Sequence, residues 1–171
     1  MAQIVNDFTL NIATANGTGS QSANLILLHS MFEMGVPVSG KNLFPSNISG
    51  LPTWFIIRAS DAGYQAPGDK THIQVVMNKD TWLADVEKAE PGTIIIHNMD
   101  VKLPVERDDC VVLGLPMTKM ARAINPKLAR MIANMYYVGG LAEVLGIDDN
   151  ALQSALTQQF KGKEKAIELN T

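Results

Sequence analysis

Apolar and polar positions alternate near the start of the chain. Phe8, Leu10 and Ile12 are separated by Thr9 and Asn11, a period of two that predicts a strand. Asn16-Gly17-Thr18-Gly19-Ser20 then breaks the pattern. Asn24-Leu25-Ile26-Leu27-Leu28-His29-Ser30-Met31-Phe32-Glu33-Met34 contains no breaker and stops at Gly35, which predicts a buried, mostly apolar helix starting near Ser20. Val36-Pro37-Val38-Ser39 is a short strand candidate, expected to complete a βαβ unit and so to found a parallel sheet. Residues 40–50 read as irregular and polar.

Strand and helix patterns then alternate. Trp54-Phe55-Ile56-Ile57-Arg58-Ala59-Ser60 is rich enough in aromatic and β-branched residues for a central strand, and residues 61–69 make a surface loop. His72-Ile73-Gln74-Val75-Val76-Met77 predicts the next strand, followed by a short amphipathic helix over 79–88 capped by Asn78. Glu90-Pro91-Gly92 turns into a strand over 93–97, and another is expected over 109–115. Pro116 and Pro126 each open a helix, Gly146 closes the second, and Asp148 starts a last helix running to Phe160. Small residues in Tyr136-Tyr137-Val138-Gly139-Gly140-Leu141 invite close packing, and residues 161–165 read as a charged exit. The pattern predicts an α/β fold: a single Rossmann-like three-layer domain with a mostly parallel sheet and C-terminal helices.

Composition narrows the function classes. With 171 residues the chain has the size of one domain. Its net charge of -3, without a basic run, argues against a nucleic-acid footprint or a polybasic membrane patch. No apolar run approaches the roughly 20 residues of a membrane span, and no signal peptide opens the chain, so a cytoplasmic protein is expected. Charged residues make up only 18% while hydrophobic ones reach 46%, a balance that predicts extensive contact with other subunits or domains. Cys110 is the single cysteine; a buried structural thiol is expected, and no disulfide, zinc or iron–sulfur set is available.

The candidate chemistry lies in the first loops. A helix start offers unpaired N–H groups and the positive end of the helix dipole, which favour a phosphate, a carboxylate or an oxyanion; a generic strand-to-helix turn has the same glycine and polar residues. Gly17-Thr18-Gly19-Ser20-Gln21-Ser22 falls short of a dinucleotide fingerprint, because Ser22 replaces the third glycine and no acid follows about 20 residues on. Gly35-Val36-Pro37-Val38-Ser39-Gly40-Lys41-Asn42 matches a phosphate loop except that Asn42 stands for the magnesium-holding hydroxyl, and it follows a helix instead of a strand. His29, His72 and His97 show no ligand spacing and read as structural; Asp108-Asp109 and Asp148-Asp149 read as capping pairs. No metal ligand and no catalytic residue is singled out. The remaining dense polar set is Gly17, Thr18, Gly19, Ser20 and Gln21 with Lys41, Asn42, Ser46, Asn47 and Ser49, on loops expected to share the carboxyl edge of the sheet.

Taken in order, Gly17-Thr18-Gly19-Ser20-Gln21, Phe44-Pro45-Ser46-Asn47-Ile48-Ser49-Gly50, the strand from Trp54, Asn134-Met135-Tyr136-Tyr137-Val138-Gly139-Gly140-Leu141 and Ala151-Leu152-Gln153-Ser154-Ala155-Leu156 resemble the gamma domain of the 2-oxoacid:ferredoxin oxidoreductases over nearly the whole chain. The free-standing gamma subunit carries Gly-x-Gly-Gly-x-Gly in the first loop and an acid plus Arg-Gly-Gly in the second. Ser49-Gly50 stands in the latter place without the arginine, which resembles the form fused ahead of the alpha subunit in 2-oxoglutarate-type enzymes.

The resemblance implies one gamma-type domain over residues 1–171, as the N-terminal part of a longer alpha subunit, in a multi-subunit oxidoreductase that decarboxylates a 2-oxoacid and forms acyl-coenzyme A. Thiamine diphosphate and iron–sulfur clusters would belong to the partner alpha and beta subunits or domains, and ferredoxin would accept the electrons. This chain would hold no complete active site; the ten loop residues above would pack over the active site and help bind coenzyme A. A purely structural assembly domain and an independent nucleotide-type enzyme are the competing readings.

Overall fold

The computed structural model describes residues 6–45 and 48–170. Its described residues form the strands β1 (Asp7–Ala15), β2 (Val38–Leu43), β3 (Pro52–Ser60), β4 (Ile73–Val76), β5 (Ile94–Asn98) and β6 (Val111–Leu115). The helices are α1 (Ser20–Glu33), α2 (Trp82–Glu87), α3 (Met117–Ile124), α4 (Ala129–Leu145), α5 (Asp149–Gln159) and α6 (Glu164–Glu168), with a 3-10 turn at Met99–Val101.

The strands make one mixed sheet in the order β2-β3-β1-β4-β5-β6. β1, β4, β5 and β6 pair in parallel, whereas β3 runs antiparallel to both β1 and β2. The α/β architecture with a mostly parallel sheet therefore holds, and the expected β1–α1–β2 unit forms in split form, with β3 inserted between its two strands. β2 points the same way as β1, yet β3 lies between them. The cause is legible in polarity: Ser39, Gly40, Lys41 and Asn42 suit a sheet edge, while the apolar run of β3 claims the interior place. The stretch 40–50, expected to be irregular throughout, thus contributes residues 40–43 to an edge strand.

The main core lies on one face of the sheet, where Leu10, Ile12, Ile57 and Val75 meet Ile26 and Leu27 of α1, Met117 of α3, Leu141 of α4 and Leu156 of α5. Burying each such side chain contributes about 1.5–3 kcal/mol. Tyr137 is fully buried here, and its hydroxyl donates to Asn24 Oδ1 at 2.8 Å, tying α4 to α1; burial pushes its pKa up, so it stays neutral. Gly140 of α4 allows the close approach expected of the small residues, since a Cβ there would stand 3.0 Å from Leu115 Cδ1. On the other face a smaller cluster joins Val76, Val86, Ala89 and Ile95, with Cys110 half-buried against it, not fully enclosed as expected.

Local chemistry explains the remaining departures. Asn78 does not cap α2, whose N-cap is Thr81; its Oδ1 accepts from Asp80 N and its Nδ2 donates to the Thr14 carbonyl. Asp109 caps no helix either. It accepts from Arg107 Nε and Nη2, and the same guanidinium donates from Nη1 to the Val86 carbonyl at 2.6 Å and from Nη2 to the Ala89 carbonyl at 2.7 Å, so closing the C-terminal end of α2. Asp148, by contrast, caps α5 as expected, accepting from Asn150 N and Ala151 N. The charged exit at 161–165 runs into the short helix α6.

Two histidines make stability pH-dependent. His72 Nδ1 accepts from Thr9 N at 3.1 Å, and burial, then Lys70 and Arg58, lowers its pKa below 6.5; burial lowers that of His97 as well. The unfolded chain therefore binds these protons first as pH falls. Stability is expected to be full above pH 6.5 and to decline as pH falls from there through the lowered native values. His72→Asn, which keeps an acceptor for Thr9 N without titrating, flattens part of that decline in thermal denaturation followed against pH; an unaltered profile contradicts the assignment.

Candidate functional site

The loops after β1, β4 and β5 and the start of α3 leave the carboxyl edge of the parallel strands, where α/β sheets bind ligands. Gly17 and Gly19 turn the chain out of β1 with φ of +78° and +83°, a left-handed backbone that a side chain resists. The turn is then docked on the loop before β3: Asn16 N donates to the Leu51 carbonyl and Gly50 N to the Asn16 carbonyl, both at 2.8 Å. A Cβ on Gly17 would lie 2.6 Å from Ser49 Oγ. The two loops singled out in the sequence are thus brought together by close backbone contact.

Several of the candidate polar groups are occupied within the fold. Thr18 Oγ1 donates to the Ala15 carbonyl at 2.7 Å, and Ser20 Oγ accepts from Thr14 Oγ1 at 2.9 Å. Asn42 Nδ2 donates to Gln21 Oε1 at 2.9 Å, joining β2 to the start of α1. Gly40 and Asn42 face α1, so the pleat places Lys41 on the opposite face, with Trp54 and Ile56, away from the glycine turn. Ser46 and Asn47 lie outside the described residues.

Beside the turn opens a cleft of about 440 Å³, whose lining includes Thr18, Gly50, Asn78, Asn98, Thr118 and Asn134. Lys79, Arg122, Lys127 and Arg130 also line it, against the single acid Asp80. Among the described residues none of these four cations is ion-paired. Sequence reading missed all four, because they converge from three separate segments. Their placement depends on asparagines at the junctions. Asn78 pins the segment carrying Lys79 to the end of β1. Asn98 Nδ2 donates to Thr118 Oγ1 at 2.7 Å, while Asp100 Oδ2 accepts from Lys119 N, fixing the α3 start one turn before Arg122. Asn125 Oδ1 accepts from Lys127 N and Leu128 N ahead of α4, and so sets Lys127 and Arg130. The usable signal was Asn78 just beyond β4 and Asn125 ahead of α4, each followed within two residues by a lysine.

Concentrated unpaired cations beside a helix start favour a polyanion with phosphate or carboxylate groups. Among the described residues no three of His, Cys, Asp or Glu converge as a metal site, and no helix is long and apolar enough to cross a membrane. One cysteine cannot ligate an iron–sulfur cluster, so the donor set of this chain does not fit that cofactor.

The sequence profile of the family described as pyruvate ferredoxin/flavodoxin oxidoreductase matches residues 9–171. Subunit alpha of 2-oxoacid:ferredoxin oxidoreductase 2 from Aeropyrum pernix is 21% identical over 208 residues, covering 96% of this chain but 32% of the relative, so the chain spans about a third of that protein's length. Among solved structures, a 2-oxoglutarate:ferredoxin oxidoreductase from Magnetococcus marinus with 2-oxoglutarate, coenzyme A and succinyl-CoA bound superposes with a TM-score of 0.86 at 23% identity, over 98% of this chain and 29% of that one. The gamma subunit of a keto/oxoacid ferredoxin oxidoreductase from Geobacter sulfurreducens gives 0.73 at 15% identity, covering 95% and 91% of the two chains. A pyruvate oxidoreductase subunit from Thermotoga maritima gives 0.71 at 21% identity, with 96% and 91% covered.

Proposed function

We propose, for a chain that belongs to the pyruvate ferredoxin/flavodoxin oxidoreductase family, that it is the gamma domain of a thiamine-diphosphate-dependent 2-oxoacid:ferredoxin oxidoreductase of the 2-oxoglutarate type. In the assembled enzyme its carboxyl-edge cleft packs over the active site and helps bind coenzyme A. The observation that carries this reading is the set of four unpaired cations, Lys79, Arg122, Lys127 and Arg130, around a cleft bordered by the glycine turn. Coenzyme A presents a pyrophosphate and a sugar phosphate, which match that charge. The cleft is sized for part of such a ligand, and a partner surface closes over the rest.

The Magnetococcus marinus enzyme, similar in fold, was solved with coenzyme A bound, and the match covers a minor part of its chain. The bound ligand supports the coenzyme A reading, and the minor coverage, with that of the Aeropyrum pernix subunit alpha, supports a domain within a longer alpha subunit. The decarboxylation, the clusters and the contact with ferredoxin fall to the alpha and beta partners. Of the described loop set, Gly17, Thr18, Gly19, Ser20, Gln21, Asn42 and Ser49 remain candidate contacts. Lys41, on the far face, is the weakest.

The second reading, an assembly domain without ligand contact, draws on exposed apolar side chains: Phe32 is 68% exposed, Ile48 65% and Phe44 54%. These fit subunit packing under either reading. The two are separated by titrating coenzyme A into the assembled enzyme carrying Arg122→Glu and Arg130→Glu. A raised Michaelis constant for coenzyme A supports ligand contact; an unchanged constant in an intact complex leaves the assembly role.

A further inference from the structure

We propose that Asn134 is a positioning residue that fixes the orientation of the Thr18–Gly19 peptide, and with it the face the glycine turn shows to its ligand; this rests on the coenzyme A reading above. Asn134 sits inside α4 at 3% exposure. An asparagine in a helix interior is locally unfavourable, and burying its amide demands partners. Asn78 and Asn98 cap neighbouring backbone N–H groups. Asn134 does nothing of the kind. Its Nδ2 donates to the Thr18 carbonyl at 2.8 Å, 116 residues away in sequence, and makes only a long 3.4 Å contact to the Arg130 carbonyl within its own helix. Two carbonyls on one nitrogen also settle which way the amide faces.

A trans peptide is planar, so its N–H points opposite its carbonyl. With the Thr18 carbonyl held toward α4, the Gly19 N–H is directed away from α4, and it finds no backbone acceptor among the described residues. Peptides flanked by glycine rotate easily because glycine adopts either sign of φ, and Gly19 stands at +83°. Rotation of this peptide would exchange a donor for a carbonyl oxygen at the turn, reversing its preference for an anion. Asn134 opposes that rotation.

The test compares Asn134→Leu with Tyr137→Phe in the assembled enzyme. Tyr137→Phe removes a second buried hydrogen bond between α4 and the α1 region among the described residues, so it reports the effect of weakened packing alone. In Asn134→Leu, deuterium exchange of the amides of residues 16–20 should accelerate about tenfold, as expected for one lost hydrogen bond. The Michaelis constant for coenzyme A should rise by a similar factor while that for the 2-oxoacid stays within about twofold. Tyr137→Phe should lower thermal stability and change neither. Asn134→Ala, which removes the donor without bulk, is read the same way should the leucine variant fail to assemble, and Asn134→Gln, which keeps the donor, should recover part of the effect. Unaltered exchange in both donor-less variants, or equal acceleration in Tyr137→Phe, overturns the proposal. Faster exchange with an unchanged coenzyme A constant upholds the positioning role and refutes the turn as a coenzyme A contact.

Discussion

Gly17→Val is expected to cripple the glycine turn. At φ of +78° a β-branched residue is strained, and its Cβ would stand 2.6 Å from Ser49 Oγ. The backbone term is about 1–2 kcal/mol and the overpacking term about 1–3 kcal/mol. Relief requires the two loops to part, which breaks the paired hydrogen bonds of Asn16 with Gly50 and Leu51. For a domain of this size the sum lowers the melting temperature by roughly 10 °C. Under the proposed function it also raises the Michaelis constant for coenzyme A, because the turn borders the cleft. Ser49→Gly removes the clashing atoms but not the backbone strain, so in the double variant the two effects should be non-additive and the recovery partial. Full additivity would mean that the loops do not touch in solution.

Charge reversal at the cleft should have the larger functional effect and the smaller structural one. Arg122 and Arg130 are exposed and unpaired, so Arg122→Glu with Arg130→Glu should cost little stability. A charge-assisted hydrogen bond to phosphate is worth about 1.5–3 kcal/mol, reduced by solvent at an open site, so we expect roughly tenfold per residue and about a hundredfold for the pair in the coenzyme A constant. Wild-type affinity for coenzyme A should also fall with added salt, and the variant's dependence should be flatter. Under the proposed function, which leaves the 2-oxoacid to partner subunits, the constant for that substrate should hardly move.

Where chain chemistry is local, the sequence was a good guide. Pro116, Gly146 and Asp148 mark helix ends because a missing N–H, a left-handed cap and a side-chain acceptor each act within a turn of themselves. Gly17 and Gly19 announced the turn for the same reason. Sheet order depends on competition between distant strands: the βαβ unit of β1, α1 and β2 was legible, whereas the insertion of β3 antiparallel between its two strands was not. The cleft was only half legible. Its rim at Thr18 and Gly50 belongs to the two loops singled out in the sequence, whereas Lys79, Arg122 and Arg130 meet only once β4, α3 and α4 are in place. Lys41 illustrates the converse: it is close to Asn42 in sequence but separated from the turn by one step of the pleat.

The most direct test of ligand contact is calorimetric titration of coenzyme A into the intact, assembled enzyme, wild type against Arg122→Glu with Arg130→Glu. Dissociation constants at least tenfold weaker in the variant, with assembly unaltered, are the predicted result. Equal constants in a complex of unchanged composition would contradict it and leave this domain with an assembly role alone.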